Sequence, residues 1–166
     1  TGYDAVVNAA NSALAGGGGV DGAIHAAAGP GLHEACMALD GCPAGGAKLT
    51  GAFALDARFI IHAVGPVWRG GTHNEAFLLA SCHVNAAALA EENGCKSVVF
   101  PCISAGVYRY PKEQAARVAL TTLRQLEKRV PRLDICCFDP ATYQIYQREN
   151  FAQTLGALGA FFTPEH

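Results

Sequence analysis

The chain has little charge and no run of one sign. Asp, Glu, Lys and Arg make up 16% of its 166 residues and leave a formal net charge of −2. No Lys/Arg stretch stands out, which argues against nucleic-acid binding through phosphate neutralisation. No apolar run is long enough to span a bilayer and no signal-peptide pattern is visible, so no membrane partner is expected and a cytoplasmic location is. The seven cysteines (Cys36, Cys42, Cys82, Cys95, Cys102, Cys136 and Cys137) contain no C-x-x-C pair. An odd count in mostly apolar surroundings fits reduced core thiols better than a disulfide framework or a zinc site. Internal repeats and low-complexity linkers are absent too. A hydrophobic content of 51% excludes a disordered chain. The length is enough to bury a core as one domain over residues 1–166, expected to be a monomer.

What is present concentrates near the start. Ala5-Val6-Val7 reads as a buried strand that ends in two carboxamides, Asn8-Ala9-Ala10-Asn11. Gly16-Gly17-Gly18-Gly19 follows, then a helix beginning Val20-Asp21-Gly22-Ala23-Ile24-His25. Glycines let backbone approach a ligand closely. A strand, a Gly-rich loop and a helix N-terminus together cradle phosphate, because free N–H groups and the positive dipole end face the anion.

Strands and helices alternate along the rest. Strands are expected at Asp4–Ala9, Ala47–Leu55, Arg58–Val64, Lys96–Pro101 and Leu133–Phe138. Helices are expected from Val20 to about Ala28, Pro30 to about Leu39, Asn74 to Glu92, Pro111 to Arg129 and Ala141 to Asn150. Asn74 is read as an N-cap, and Asn93-Gly94 as a stop. Pro111 suits a first turn, and Lys128-Arg129 a last one. Buried strands alternating with helices give an α/β layered sheet. Ligands in such folds bind beyond the carboxyl ends of the strands, where Asn11, Ser104 and Phe138 would lie.

Four segments together resemble the macrodomain family, in its MacroD-type branch. They are Val7–Asn11, Gly16–Gly29, Ile61–Gly71 and Pro101–Pro111, and the likeness runs from Tyr3 to about Tyr146. The resemblance implies a three-layer α/β/α sandwich with a mixed central sheet that binds ADP-ribose. It also implies hydrolysis of esters at the distal ribose, which removes mono-ADP-ribose from acidic side chains of proteins and deacetylates O-acetyl-ADP-ribose. Neither a cofactor nor a metal is implied. By position, Asn11 would hold the distal ribose hydroxyls and Asp21 would sit beside the scissile ester, the two forming the catalytic pair. Gly17, Gly18 and Val20 would line the first phosphate loop, and Asn8, Ala10 and Gly19 would be further ADP-ribose-binding residues. Ser104, Ala105, Gly106, Val107 and Tyr108 would wrap the pyrophosphate from the other side, and Phe138 would stack near the adenine.

Residue chemistry agrees with these roles. Neither loop contains Lys, so backbone N–H groups must attract the pyrophosphate. Carboxamides donate and accept, which suits vicinal hydroxyls. Ester hydrolysis needs a positioned water and a proton acceptor, either Asp21 or a phosphate oxygen of the substrate; a general base typically contributes about 10²–10⁴-fold. A non-catalytic ADP-ribose reader is the alternative. Blander roles exist for single residues. Asp21 suits a helix N-cap, Asn11-Ser12 a turn, and the glycine run a flexible connection. His25 lies one turn after Asp21 and is placed to pair with it. Tyr108 and Phe138 suit a core, and His62 and Trp68 suit packing and loop positions. Ser104 has no His/Asp partner nearby in sequence for a nucleophile.

Departures from the family pattern carry expectations of their own. A Gly-Asp-Ile-Thr segment and a strand, which the pattern places ahead of Tyr3, are not in this sequence; either it is part of a longer chain, or an edge strand and an adenine contact are expected to be missing. Ala105 stands for the usual Thr. Arg109 stands for the usual Gly, and a change in loop shape or affinity is expected there. Ala44-Gly45-Gly46 replaces a Thr-Gly-His-like triplet, with no assigned function.

Overall fold

The computed structural model describes residues 2–157. Five strands, β1 (Ala5–Ala9), β2 (Ala47–Gly51), β3 (Phe59–Ala63), β4 (Ser97–Phe100) and β5 (Arg132–Ile135), form one sheet in the order β2-β3-β1-β4-β5. β1 pairs in parallel with β3 and β4, and β4 with β5; β2 alone runs antiparallel, against β3. The sheet is therefore mixed, and the loops leaving its four parallel strands open at one end.

Side chains alternate across a strand, and here the alternation sorts two apolar layers. Ala5, Val7, Ile61 and Ala63 pack with Leu79, Cys82 and Ala86 of α3 (Glu75–Glu92) and Ala115 and Leu123 of α4 (Lys112–Leu126). Ile60 and Val64 turn to the other face, against Ile24 and Ala28 of α1 (Gly19–Ala28) and Leu32 and Cys36 of α2 (Gly31–Ala38). Helices thus cover both faces, the expected three-layer α/β/α sandwich. α5 (Pro140–Ala157) lies against α4, with Tyr146 buried beside Ala116 and Ala119. No helix among the described residues is long and apolar enough to cross a membrane.

Several boundaries differ from expectation. β2 stops at Gly51, which pairs with Phe59, the first residue of β3, so nothing beyond it has a partner. Phe53 turns to φ 55°, and the Ala54 N–H bonds to the Ala28 carbonyl at the end of α1. β5 ends at Ile135, and Phe138 lies beyond it. α4 ends at Leu126, and Lys128 and Arg129 follow it in a turn rather than forming its last turn. α5 runs seven residues past Asn150. Asn74 precedes α3 as expected, but its side chain makes no capping bond and its φ is 59°. Glu75, the first residue of the helix, organises the loop ahead of it. Its carboxylate accepts the N–H groups of Arg69 and Gly71, both at 2.8 Å, and of His73. Asn93 and Gly94 end α3 as expected, with Gly94 at φ 71°.

Candidate active site

The loop after β1 is closed by its own carboxamide. Asn11 Nδ2 donates to the Gly16 carbonyl at 2.9 Å, and Asn11 Oδ1 accepts the Ala15 N–H at 3.2 Å. Such local bonds are what a turn-forming Asn offers. Gly16 turns the chain at φ 82° and Gly19 at φ 59°. Between them Gly17 and Gly18 are exposed, with Gly18 at the N-cap of α1 and Val20 half-buried in its first turn. The Gly17 carbonyl rests on Gly22, where a Cβ would overlap it. This close approach lets the loop fold over the first turn of the helix, with its amides at the positive dipole end.

Asp21 sits in that first turn, three residues after the N-cap, and is only 6% exposed. The N-cap position itself is held by Gly18. Asn8 Nδ2 donates to its Oδ1 at 2.9 Å, and His25 Nε2 lies 3.3 Å from the same oxygen, the pairing expected one turn along the helix. The other oxygen faces the glycine loop: a Cβ on Gly17 would stand 3.8 Å from Asp21 Oδ2 and 4.0 Å from Asn11 Nδ2. Asn11 and Asp21, far from contact in a linear reading, therefore converge over one exposed glycine.

The second loop comes from β4. Ser104 is buried at φ 64°, and its hydroxyl donates to the Pro66 carbonyl at 2.8 Å, so it is committed to holding two loops together. Gly65 allows this approach, because a Cβ there would overlap Ser104 Oγ and Ile103 Cγ2. Trp68 N–H donates to the Tyr108 carbonyl at 2.8 Å, which ties the same two loops again further out. Ala105 is buried, while Gly106 and Val107 are exposed, Val107 to 92%. Tyr108 is half-buried, so it is not a core aromatic. Arg109 keeps a left-handed backbone at φ 62°, so the loop retains the bend that a glycine would make. Phe138 is 67% exposed just past β5, at the same end of the sheet, and a core role for it is excluded.

Two cavities bear on where a ligand could sit. One of about 320 Å³ is lined by Ser12, Ala44, Gly65, Arg69, His73 and Tyr108, among others, and adjoins the site. A larger one, about 660 Å³, lies between α4, β5 and α5 and contains none of the expected site residues. Among the described residues no group of three or more His, Cys, Asp or Glu side chains is placed to hold a metal ion.

One part of the site was not visible in the sequence. His62, read as packing, is fully buried, with Nδ1 3.2 Å from Asn8 Nδ2 and Nε2 3.0 Å from Thr50 Oγ1. Burial lowers its pKa to about 4, with a further push from His25, so the ring is neutral at ordinary pH. The usable signal is register: Asn8 and His62 are direct partners across β1 and β3.

Comparison with known proteins places the chain in a family and a fold. The profile of the Macro domain family matches residues 7–119. A Macro domain-containing protein of Chlorobaculum tepidum is 54% identical over 148 residues, 87% of this chain and 86% of that protein. A protein of Citrobacter rodentium named O-acetyl-ADP-ribose deacetylase is 50% identical over 152 residues, 87% of this chain and 86% of that protein. Among solved structures, the Oceanobacillus iheyensis macrodomain with ADP superposes with a TM-score of 0.87 at 41% identity, covering 93% of this chain and 86% of that one.

Proposed function

The chain belongs to the Macro domain family, and on that premise we propose that it binds ADP-ribose and hydrolyses the ester at its distal ribose. The substrates of this reading are proteins mono-ADP-ribosylated on acidic side chains, and O-acetyl-ADP-ribose. Water is the nucleophile, the ribose ester bond breaks, and the acid and the free hydroxyl leave.

The observation that carries the reading is the Asp21 carboxylate. It is buried, bonded through one oxygen to Asn8 and His25, and turned through the other toward exposed Gly17. The N-cap of α1 is Gly18, so Asp21 stands inside the first turn, past the position from which an Asp caps a helix. In the proposed complex Asn11 holds the distal ribose hydroxyls. Amides of Gly17, Gly18, Gly19 and Val20 face one phosphate, and the backbone from Ser104 to Tyr108 faces the other. Asn8 and Ala10 form the floor, and Phe138 offers an exposed ring to the adenine. The water loses its proton to Asp21 or to a substrate phosphate oxygen. The reading needs no metal or cofactor.

The test is release of free ADP-ribose from a protein mono-ADP-ribosylated on Glu or Asp, with Asp21→Ala run in parallel. Release by the parent but not by the variant supports the hydrolase. ADP-ribose binding by calorimetry with no release by the parent identifies a reader instead, and absence of both overturns the proposal.

A further inference from the structure

The polar groups beneath Asp21 form a chain whose proton positions can be worked out in one direction. Alternation sends Asn8 of β1 and His62 of β3 to the same face of the sheet as Val6, Ile60 and Val64, the face covered by α1 and α2. Thr50 of β2 and Cys36 of α2 meet them there, so a polar cluster lies inside an otherwise apolar layer. Such a cluster is costly unless its members are paired.

An ionised Asp21 accepts and cannot donate. Asn8 must therefore turn its NH₂ group toward Asp21 Oδ1, at 2.9 Å. The same nitrogen lies 3.2 Å from His62 Nδ1, so its second hydrogen goes to that ring nitrogen, which must be bare. The imidazole proton then sits on Nε2 and is donated to Thr50 Oγ1, at 3.0 Å. The Thr50 hydroxyl donates in turn to the Gly51 carbonyl, also at 3.0 Å. Each of these donor hydrogens is used once, Asn8 Oδ1 is left without a partner, and the four side chains Asp21, Asn8, His62 and Thr50 are each nine-tenths or more buried.

We infer that His62 and Thr50 are positioning residues for the proposed hydrolysis: through Asn8 they hold one oxygen of Asp21 and so aim the other at the ligand loop. The inference rests on the reading given under Proposed function. A carboxamide not fixed by His62 would be free to turn, and a carboxylate losing its Asn8 bond would lose the orientation that sets the ester beside it. His62 itself touches no part of the loop that would meet substrate.

Substitutions at His62 separate aiming from space-filling. An Asn carboxamide oxygen takes the place of Nδ1, whereas a Gln side chain reaches toward the Nε2 position. His62→Asn should therefore keep more turnover than His62→Gln or His62→Phe, although Gln and Phe fill the site better. His62→Phe is expected to lower kcat about 10- to 100-fold, the worth of one hydrogen bond to a charged group, with KM and ADP-ribose affinity within about 3-fold. Thr50→Val, nearly isosteric, should lower kcat less and shift the His62 ring resonances. The long-range ¹H–¹⁵N spectrum of the labelled parent should show the Nε2–H tautomer at neutral pH. An Nδ1–H tautomer overturns the inference whatever the activity. So does a folded His62→Phe with parental kcat, or an order in which Gln or Phe outperforms Asn. If His62→Phe fails to fold, parental kcat and unshifted ring resonances in Thr50→Val overturn it as well. If the parent releases no ADP-ribose, the hydrolase reading fails by that assay, and with it the catalytic role inferred here; the tautomer then reports on the hydrogen-bond chain alone.

Discussion

Gly65 lies directly against Ser104, with no room between them for a single methyl group. The Ser104 hydroxyl donates past it to the Pro66 carbonyl at 2.8 Å. Gly65→Ala must therefore displace the β4 loop. Overpacking of this kind costs about 1–3 kcal/mol. We expect a lower midpoint in urea and at least a tenfold weaker ADP-ribose complex by calorimetry. Parental affinity would show that the position of this loop is not what the ligand reads.

Arg109 occupies a left-handed backbone conformation, φ 62°, which favours glycine. A side chain there costs about 1–2 kcal/mol, against about 0.5–1 kcal/mol of extra chain entropy for glycine. Arg109→Gly should therefore stabilise by about 0.5–1 kcal/mol, a rise in Tm of about 1–4 °C. Calorimetric scanning decides it, and a fall in Tm would mean that the guanidinium makes a compensating contact.

Acid should loosen the protein in two stages. His62 and His83 are both held to about 4 by burial, below the usual 6.5, although the Leu79 carbonyl opposes this at His83. The unfolded chain binds these protons first, so their contribution is complete above about pH 6.5 and falls as pH drops from there toward about 4, by about 1.4 kcal/mol per pH unit for each ring. Burial alone would raise Glu75, but the N–H groups of Arg69, Gly71 and His73 outweigh it and hold it near 2 against an ordinary 4.5. Its contribution is present above about pH 4.5 and is lost as pH falls toward about 2. Urea titrations at stepped pH should show the first stage weakened in His83→Phe and the second in Glu75→Gln.

Asn11→Ala should reduce turnover far more than ADP-ribose affinity, because its proposed partners are the hydroxyls beside the reacting ester. Equal losses in kcat and affinity would make its loop-closing bonds to Gly16 and Ala15 the whole of its role. A chelator such as EDTA should leave ester hydrolysis unchanged. Loss of activity restored by zinc would overturn the metal-free reading.

The first loop was legible because its residue types are so unusual: four glycines between a strand and an acid-bearing helix have few other uses. The capping reading of Asp21 failed by a short displacement, since the helix starts at Gly19 and leaves the acid inside its first turn. Asn74 does stand at the N-cap of α3, but without a capping bond from its side chain. The N–H groups ahead of α3 are gathered by the carboxylate that follows it, a bond through space that spacing does not announce. The overlong β2 came from an apolar run, Ala52 to Leu55, that folds back over α1 where no strand is available to pair with it. The chain from Thr50 to Asp21 was invisible altogether, because it depends on strand register and no local pattern encodes that.

Seen from Asp21, the side of the sheet is an electrical dead end. Neutral carboxamides hand on hydrogen bonds without releasing protons near neutrality, so Asn8 insulates the carboxylate from the imidazole behind it. In the proposed reaction, whatever charge the acid gains or sheds has to travel outward, by way of His25, the bound substrate or solvent. The interior fixes the direction of that traffic and carries none of it.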